Sequence, residues 1–269
     1  MVQTGLAEMG KAMGTWPAYG ALRGVRQAGV ALLDALLPPT SPFTGALVSS
    51  PGAIEPHLWA KLRFLAGPKC VSCGFPFDHD PGPDVRCAAC VAKPPVFDRA
   101  RSALAYDDFS RRLVLDFKHG GRTEAVPVFA AWMATACADI AAGVDVLAPI
   151  PLHWRRRLGR RYNQAALQTR ALAKPLDRPA RYDWLVRRRA TPSQAGKSAL
   201  GRSRNVRGAF EAPELQRAAV RVANILLVDD VYTTGATLNA CARALKKAGA
   251  GSVRAVTLAR VVRAVDPLT

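Results

Sequence analysis

Apolar positions along the chain switch repeatedly between a strand pattern and a helix pattern. The clearest switch lies near the C-terminus. Residues 225–228 (ILLV) form an unbroken apolar run between Asn224 and Asp229, the signature of a strand buried on both faces of a parallel sheet. Residues 236–248 then carry a helical pattern. Upstream, 144–150 (VDVLAPI) reads as a short apolar strand ending at Pro151, 163–174 as a helix, and 182–186 (YDWLV) as a further strand. This alternation predicts an α/β domain with a parallel sheet and helices on both faces. Near the N-terminus, 25–37 (VRQAGVALLDALL) has the spacing of an amphipathic helix, which packs on its own domain or, as the alternative, lies on a membrane surface.

The 269 residues are 49% hydrophobic, enough for a sizeable core with little disorder. No apolar run approaches the ~20 residues of a membrane span, and the N-terminus lacks a compact apolar segment followed by a cleavage site. A soluble cytoplasmic protein is therefore expected. The formal charge is +18, and residues 144–210 concentrate it, with fourteen Arg and two Lys against three Asp. That excess predicts polyanionic partners, either pyrophosphate-bearing substrates or nucleic acid. The competing explanation is a solvated basic face.

Four of the six cysteines form two Cys-x2-Cys pairs, Cys70 with Cys73 and Cys87 with Cys90, thirteen residues apart. Each pair can grip one side of a tetrahedral ion, and Gly74 permits the tight turn behind the first. A small zinc ribbon follows, structural in role because four thiolates leave no open coordination position. Two disulfides are the alternative, disfavoured without a secretion signal. His79 and Asp80 read as loop residues. Upstream, Ser41-Pro42-Phe43-Thr44-Gly45 has the shape of Cys70-Val71-Ser72-Cys73-Gly74 without the thiols, and Glu55-Pro56-His57-Leu58 stands where a second pair would fall. This is either a degenerate first ribbon or an ordinary loop. Cys137 and Cys241 lie in Ala-rich helical patterns, as buried small hydrophobes do.

The candidate chemistry sits where the strand at 225–228 ends. Asp229 and Asp230 can accept hydrogen bonds from sugar hydroxyls or meet a hydrated divalent cation. Thr233, Thr234, Gly235, Ala236 and Thr237 then offer hydroxyls and free N–H groups where a helix begins, which suits a phosphate. No Gly-Lys-Ser/Thr follows the glycine, so this is not a Walker loop. A βα turn in an unrelated protein is the bland reading.

The stretch NILLVDDVYTTGAT resembles the ribose-phosphate loop of type I phosphoribosyltransferases. The chain as a whole resembles the ComF family, the phosphoribosyltransferase-like proteins associated with DNA uptake in competent bacteria. That resemblance covers roughly residues 36–260 and rests on an ordered set of motifs: the Cys-x2-Cys pairs, Tyr106 with Phe117-Lys118, PIPLHWRRRLGRRYNQ at 149–164, RRRATPSQ at 187–194, RNVRGAF at 204–210, and the loop itself. It implies a type I phosphoribosyltransferase-like domain over 97–268, a double zinc-ribbon module over 39–96 and a helical segment over 1–38. It also implies that Asp229 and Asp230 hold the ribose hydroxyls of phosphoribosyl pyrophosphate while 233–237 holds its 5′-phosphate, with Mg2+ accompanying the pyrophosphate.

Arg160, Arg161, Asn163 and Gln164 lie in the segment that meets pyrophosphate in related enzymes, where Arg forks suit phosphoryl oxygens. Arg161 stands where relatives commonly carry glycine, and so departs from the family loop. Residues 187–210 correspond to a lid, with Gln194, Lys197 and Arg202 as its candidates for the pyrophosphate. Lys118 and His119 form either part of a hood over the acceptor or a surface turn.

Three functions remain open at this point: a transferase, a non-catalytic single-stranded-DNA-binding accessory acting beside a competence helicase, and a sensor of phosphoribosyl pyrophosphate. Trp154 and Tyr162 are the bases' stacking candidates in the second.

The charge pattern makes a direct prediction. Affinity for a single-stranded oligonucleotide should fall steeply with salt, and Arg155→Ala, Arg156→Ala and Arg157→Ala together should flatten the log–log slope by up to about three units. An unchanged slope returns those arginines to a solvated face.

Overall fold

In the computed structural model, residues 37–119, 123–152, 162–189, 206 and 208–262 are described. The helix expected at 25–37 falls, but for Leu37, outside them. The chain divides into two compact units, Met1–Ala53 and Ile54–Thr269.

The elements run in the order α1 (Pro56–Trp59), α2 (Ala88–Ala92), β1 (Arg99–Ala105), α3 (Asp108–His119), α4 (Val126–Ala136), α5 (Ala138–Ala141), β2 (Val146–Pro149), α6 (Gln164–Leu176), β3 (Val186–Arg187) and β4 (Phe210–Glu211). A 3-10 turn (Glu214–Gln216), α7 (Arg217–Val220), β5 (Asn224–Tyr232), α8 (Ala236–Lys247) and β6 (Ser252–Arg260) complete them. Four strands make one parallel sheet in the order β1-β6-β5-β2. β5 is internal, and Ile225, Leu226, Leu227 and Val228 are fully buried, as a strand covered on both faces requires.

Alternate side chains of a strand face opposite ways, so the two faces of the sheet have separate cores. On one, α4 packs against β1 and β6, α6 against β2 and β5, and the two helices against each other. On the other, Ile225, Leu227, Val253 and Ala255 join Leu238, Cys241 and Leu245 of α8 in a cluster that also contains Cys70, Cys73, Cys87 and Cys90. The cysteine hairpin is thus packed into the sheet's own core. Both sheet edges carry short extra ladders: Arg63 to Leu65 along β1, with Leu65 N–H donating to Ala103 O at 2.9 Å, and Pro179 to Arg181 along β2, with Leu147 N–H donating to Pro179 O at 2.9 Å.

The strand expected at 225–228 continues through both acids to Tyr232, because β6 keeps pairing as far as Arg260; Asp229 lies opposite Thr257 and Tyr232 opposite Arg260. The strand expected at 182–186 shrinks to its last residue. Trp184 and Leu185 are buried by packing, and only Val186 and Arg187 find a partner strand, antiparallel β4. Arg188 N–H donates to Ala209 O at 3.0 Å, so the long basic segment leaves and returns through one small ladder.

A hydrogen-bond pattern occurs twice near the N-terminal side. In Met1–Ala53, Ser41 N–H donates to Ala46 O (2.7 Å), Gly45 N–H to Ser41 O (2.9 Å) and Val48 N–H to Pro39 O (2.9 Å). In Ile54–Thr269, Cys70 N–H donates to Phe75 O (2.8 Å), Gly74 N–H to Cys70 O (2.9 Å) and Phe77 N–H to Pro68 O (2.9 Å). Cys70 takes the place of Ser41 and Cys73 that of Thr44. The turns before α1 and α2 match likewise: Leu58 and Trp59 N–H donate to Glu55 O as Cys90 and Val91 N–H donate to Cys87 O.

Candidate functional site

β5 delivers Asp229 and Asp230 to the carboxyl end of the sheet, where open α/β sheets bind ligands. Asp230 N–H donates to Asp229 Oδ1 at 2.9 Å, and Lys118, from the last turn of α3, pairs with Asp230 at 2.8 Å (Nζ to Oδ2). Burial pushes the Asp229 carboxyl up to about 7, with the Asp230 charge adding to it; the Asp230 N–H, Lys118 and Arg187 pull the other way. The two acids are thus unequal, Asp230 being the one that holds a cation.

The loop after them turns at Gly235. Its φ of +72° favours glycine, and a Cβ there would lie 2.7 Å from Cε2 of Tyr232, so no other residue fits without moving that ring. Gly235 caps α8, whose first N–H groups have no intrahelical acceptor; Asn239 N–H bonds back to Gly235 O at 2.8 Å. Thr234 Oγ1 is buried without a hydrogen-bond partner among the described residues, the condition of a hydroxyl waiting for a ligand oxygen. Thr233 is exposed. Among the described candidates the fold therefore gathers Asp229, Asp230, Thr233, Thr234, Gly235, Ala236 and Thr237 at one end of β5.

Asn163 and Gln164 are engaged structurally. Asn163 caps α6, its Oδ1 accepting from Ala165 N–H (3.1 Å) while its side-chain amide donates to Ile150 O (3.3 Å). Gln164 is buried and donates to Lys118 O at 3.2 Å, and Tyr162 Oη donates to Phe117 O at 2.8 Å. These bonds fix the end of α3 from which Lys118 reaches Asp230. Arg160, Arg161, Gln194, Lys197 and Arg202 lie outside the described residues, as do Arg155 to Arg157, Trp154 and the His119 side chain.

The four cysteines converge. Their sulfurs all lie within 4.8 Å of one another, Cys73 Sγ is 3.6 Å from Cys87 Sγ, and Cys73 N–H points at Cys70 Sγ at 3.5 Å. Sulfurs about 3.8 Å apart are what a tetrahedral ion with ~2.3 Å bonds requires, so the set fits a metal. None of the six cysteines is in a disulfide. Burial raises Cys137, with Asp139 adding to it, to about 12, consistent with an inert core thiol.

Two residues near this centre carry no motif. Arg260, at the end of β6, is 5% exposed; its guanidinium donates to Cys73 O and lies 3.7 Å from Cys73 Sγ. It also stands 4.6 Å from the Tyr232 ring centroid and 5.2 Å from that of Phe75. Arg101 of β1 donates to Val71 O at 3.2 Å and pairs with Asp139 at 2.6 Å. Each strand carries two arginines, Arg99 and Arg101 in β1 and Arg254 and Arg260 in β6, so the sequence does not single out the buried one.

Residues 169–266 match the family described as phosphoribosyl transferase domain, a stretch that takes in both acids, the Gly235 turn and α8. The fold is of the type I phosphoribosyltransferase class, with a four-cysteine hairpin set before its first strand. Over 198 residues the chain is 31% identical to DNA utilization protein YhgH of Salmonella typhi, covering 72% of this chain and 84% of that protein. Over 209 residues it is 30% identical to Competence protein ComFC of Bacillus subtilis, covering 75% and 81%. The chain belongs to the ComF family. Among solved structures it is similar to a glutamine phosphoribosylpyrophosphate amidotransferase from B. subtilis, with TM-score 0.35 and 22% identity over 51% of this chain and 26% of that one. Among the described residues, no helix is long and apolar enough to cross a membrane.

The Asp229 environment sets a pH dependence. The folded chain keeps a proton there up to about pH 7, whereas an unfolded aspartate loses it near pH ~4. Stability from this group is therefore present at low pH and declines as pH rises from about 4 to about 7. Asp229→Asn should remove the decline and leave the variant more stable than wild type above pH 7, by on the order of 1–3 kcal/mol. Thermal denaturation across that range checks it; parallel curves would mean that Asp229 titrates normally.

Proposed function

We propose that this chain binds phosphoribosyl pyrophosphate, or a related ribose phosphate, together with Mg2+, as a phosphoribosyltransferase-type protein linked to DNA uptake or nucleotide metabolism. The observation that carries the reading is the convergence of two unequal carboxylates, an orphaned Thr234 hydroxyl and a glycine-turned helix N-terminus at the end of one strand. In this arrangement the ribose hydroxyls donate to Asp229 and Asp230, and the 5′-phosphate accepts from the first N–H groups of α8 and from Thr234. Lys118 pairs with Asp230 until the ligand hydroxyls take its place.

Among the described residues the cysteines form the only cluster of three or more metal-ligating side chains. The two aspartates would therefore hold Mg2+ only jointly with oxygens of the ligand, as hard-cation sites built on substrate phosphates do. When bound, the ion supplies charge neutralisation to the pyrophosphate. In a transfer reaction the bond from the anomeric carbon to pyrophosphate breaks as a nitrogen nucleophile bonds to that carbon, and the residues of this chain act by positioning and by stabilising charge. A sensor of the same ligand would use the same contacts without turnover.

The link to DNA uptake is supported by what the relatives are called, a DNA utilization protein and a competence protein. The +18 charge and its concentration in 144–210 favour a second reading, in which the chain holds single-stranded DNA during uptake.

Calorimetric titration of the full chain with phosphoribosyl pyrophosphate and Mg2+ tests the first reading. Binding should be measurable in the wild type and fall roughly tenfold or more in Asp230→Asn, the loss expected for one charged hydrogen bond. Unchanged affinity in a folded variant would remove the ribose-phosphate reading. Displacement of a bound oligonucleotide by phosphoribosyl pyrophosphate would favour the DNA-holding reading with a shared crevice.

We also read 39–96 as a duplicated ribbon whose first copy has lost its thiols, supported by the repeated hydrogen-bond pattern. The second copy holds zinc structurally through Cys70, Cys73, Cys87 and Cys90. Elemental analysis of purified protein should find one zinc per chain. Two would give the first copy a metal of its own, and none, with four free thiols, would dismiss the ribbon.

A further inference from the structure

The ribbon and the phosphate loop meet at one side chain. Arg260 is buried, and its Nε has no hydrogen-bond partner among the described residues. Its guanidinium contacts the carbonyl and sulfur of Cys73 at one end and lies over the rings of Phe75, which follows the first cysteine pair, and Tyr232. Tyr232 is the ring that limits Gly235 to a glycine. A continuous line of contacts therefore runs from Cys73 through Arg260 and Tyr232 to the turn that opens α8.

Charge explains why an arginine can be buried there. Four thiolates around a divalent ion carry a net double negative charge, and a buried guanidinium is tolerable only beside such a partner. The two aromatic rings add cation–π attraction that a desolvated setting strengthens. Without the ion the four sulfurs lose the centre that holds them together, and Arg260 loses the fixed Cys73 carbonyl and sulfur against which it is placed. The Tyr232 ring then loses the flat surface against which it is stacked.

We propose that Arg260 is a positioning residue that couples metal occupancy of the four-cysteine centre to the conformation of the phosphate loop at 233–237. The metal then serves the ligand site across the sheet edge, in addition to folding the hairpin. The assignment of that loop to a ribose phosphate rests on the reading proposed above, but the coupling does not require it.

Hydrogen exchange of the full-length protein, with zinc bound and after removal by a chelator, reads the coupling directly. Removing zinc should speed exchange at 232–238 several-fold while β2 and α6 keep their protection. Arg260→Met should release zinc to a competing chelator roughly 10- to 100-fold faster, the range for groups that support metal ligands. Its zinc-bound form should already exchange at 232–238 like the stripped wild type. Arg260→Lys keeps the charge without the flat, stackable fork, so it should recover zinc retention but not loop protection.

Equal exchange at 232–238 with and without zinc would overturn the proposal. So would loss of protection spread evenly over β2 and α6, because the ion would then hold the whole fold. Titration with phosphoribosyl pyrophosphate separates the two claims. Absence of binding in every form, with the exchange difference intact, removes the ribose-phosphate reading and leaves the coupling. Equal binding to stripped and zinc-loaded protein removes the coupling and leaves the reading.

Discussion

The structure depends on β5 being hydrogen-bonded on both sides while covered on both faces. Its neighbours β2 and β6 satisfy its backbone, and four consecutive apolar side chains satisfy the cores above and below. Those residues leave no room for a charge. The first position at which a carboxylate can be tolerated is where β2 stops pairing, at Val228 opposite Pro149. Asp229 sits one residue beyond, still close enough to the core for burial to hold its proton to near neutrality. Asp230 is relieved by Lys118. The charge pattern of the strand end follows from the same packing that stabilises the strand.

The cysteine hairpin is built into this arrangement rather than tethered to it. Ala100 N–H, at the start of β1, donates to Ser72 O at 2.7 Å, and a Cβ on Gly74 would lie 2.6 Å from Ala100 O. Val96 N–H, in the segment leaving the hairpin, donates to Asn239 Oδ1 of α8 at 2.6 Å. Arginines from two adjacent strands grip carbonyls of the same turn, Arg101 at Val71 and Arg260 at Cys73. A ribbon whose backbone supplies hydrogen bonds to the sheet cannot be removed without unsatisfying the sheet itself.

Much of this was legible in the sequence. The apolar run before Asp229, the helix that follows it and the two Cys-x2-Cys pairs are local patterns, and local patterns are what periodicity and turn chemistry report. The ladder of β3 with β4 was not legible, because which of residues 182–187 pair depends on a strand more than twenty positions away. Asn163 and Gln164 lie in the segment that the resemblance assigns to pyrophosphate; in the fold one caps α6 and the other latches α3. An N-cap and a phosphate ligand draw on the same amide chemistry, and spacing alone does not separate them. Arg260 was invisible for a different reason: its partners are a carbonyl, a sulfur and two rings drawn from two segments, the Cys73–Phe75 turn and the end of β5, far from it in sequence.

The two-residue ladder of β3 and β4 has a consequence for how the family can vary. By joining Arg187 to Phe210 and Arg188 to Ala209, it brings the two ends of the intervening sequence together within the domain. Lengthening such a loop adds only about 0.6 kcal/mol of closure entropy for each doubling. The segment between the two strands is therefore free to gain, lose or exchange residues at little cost to the sheet. Differences in length can accumulate there while the strand that carries the acids stays as it is.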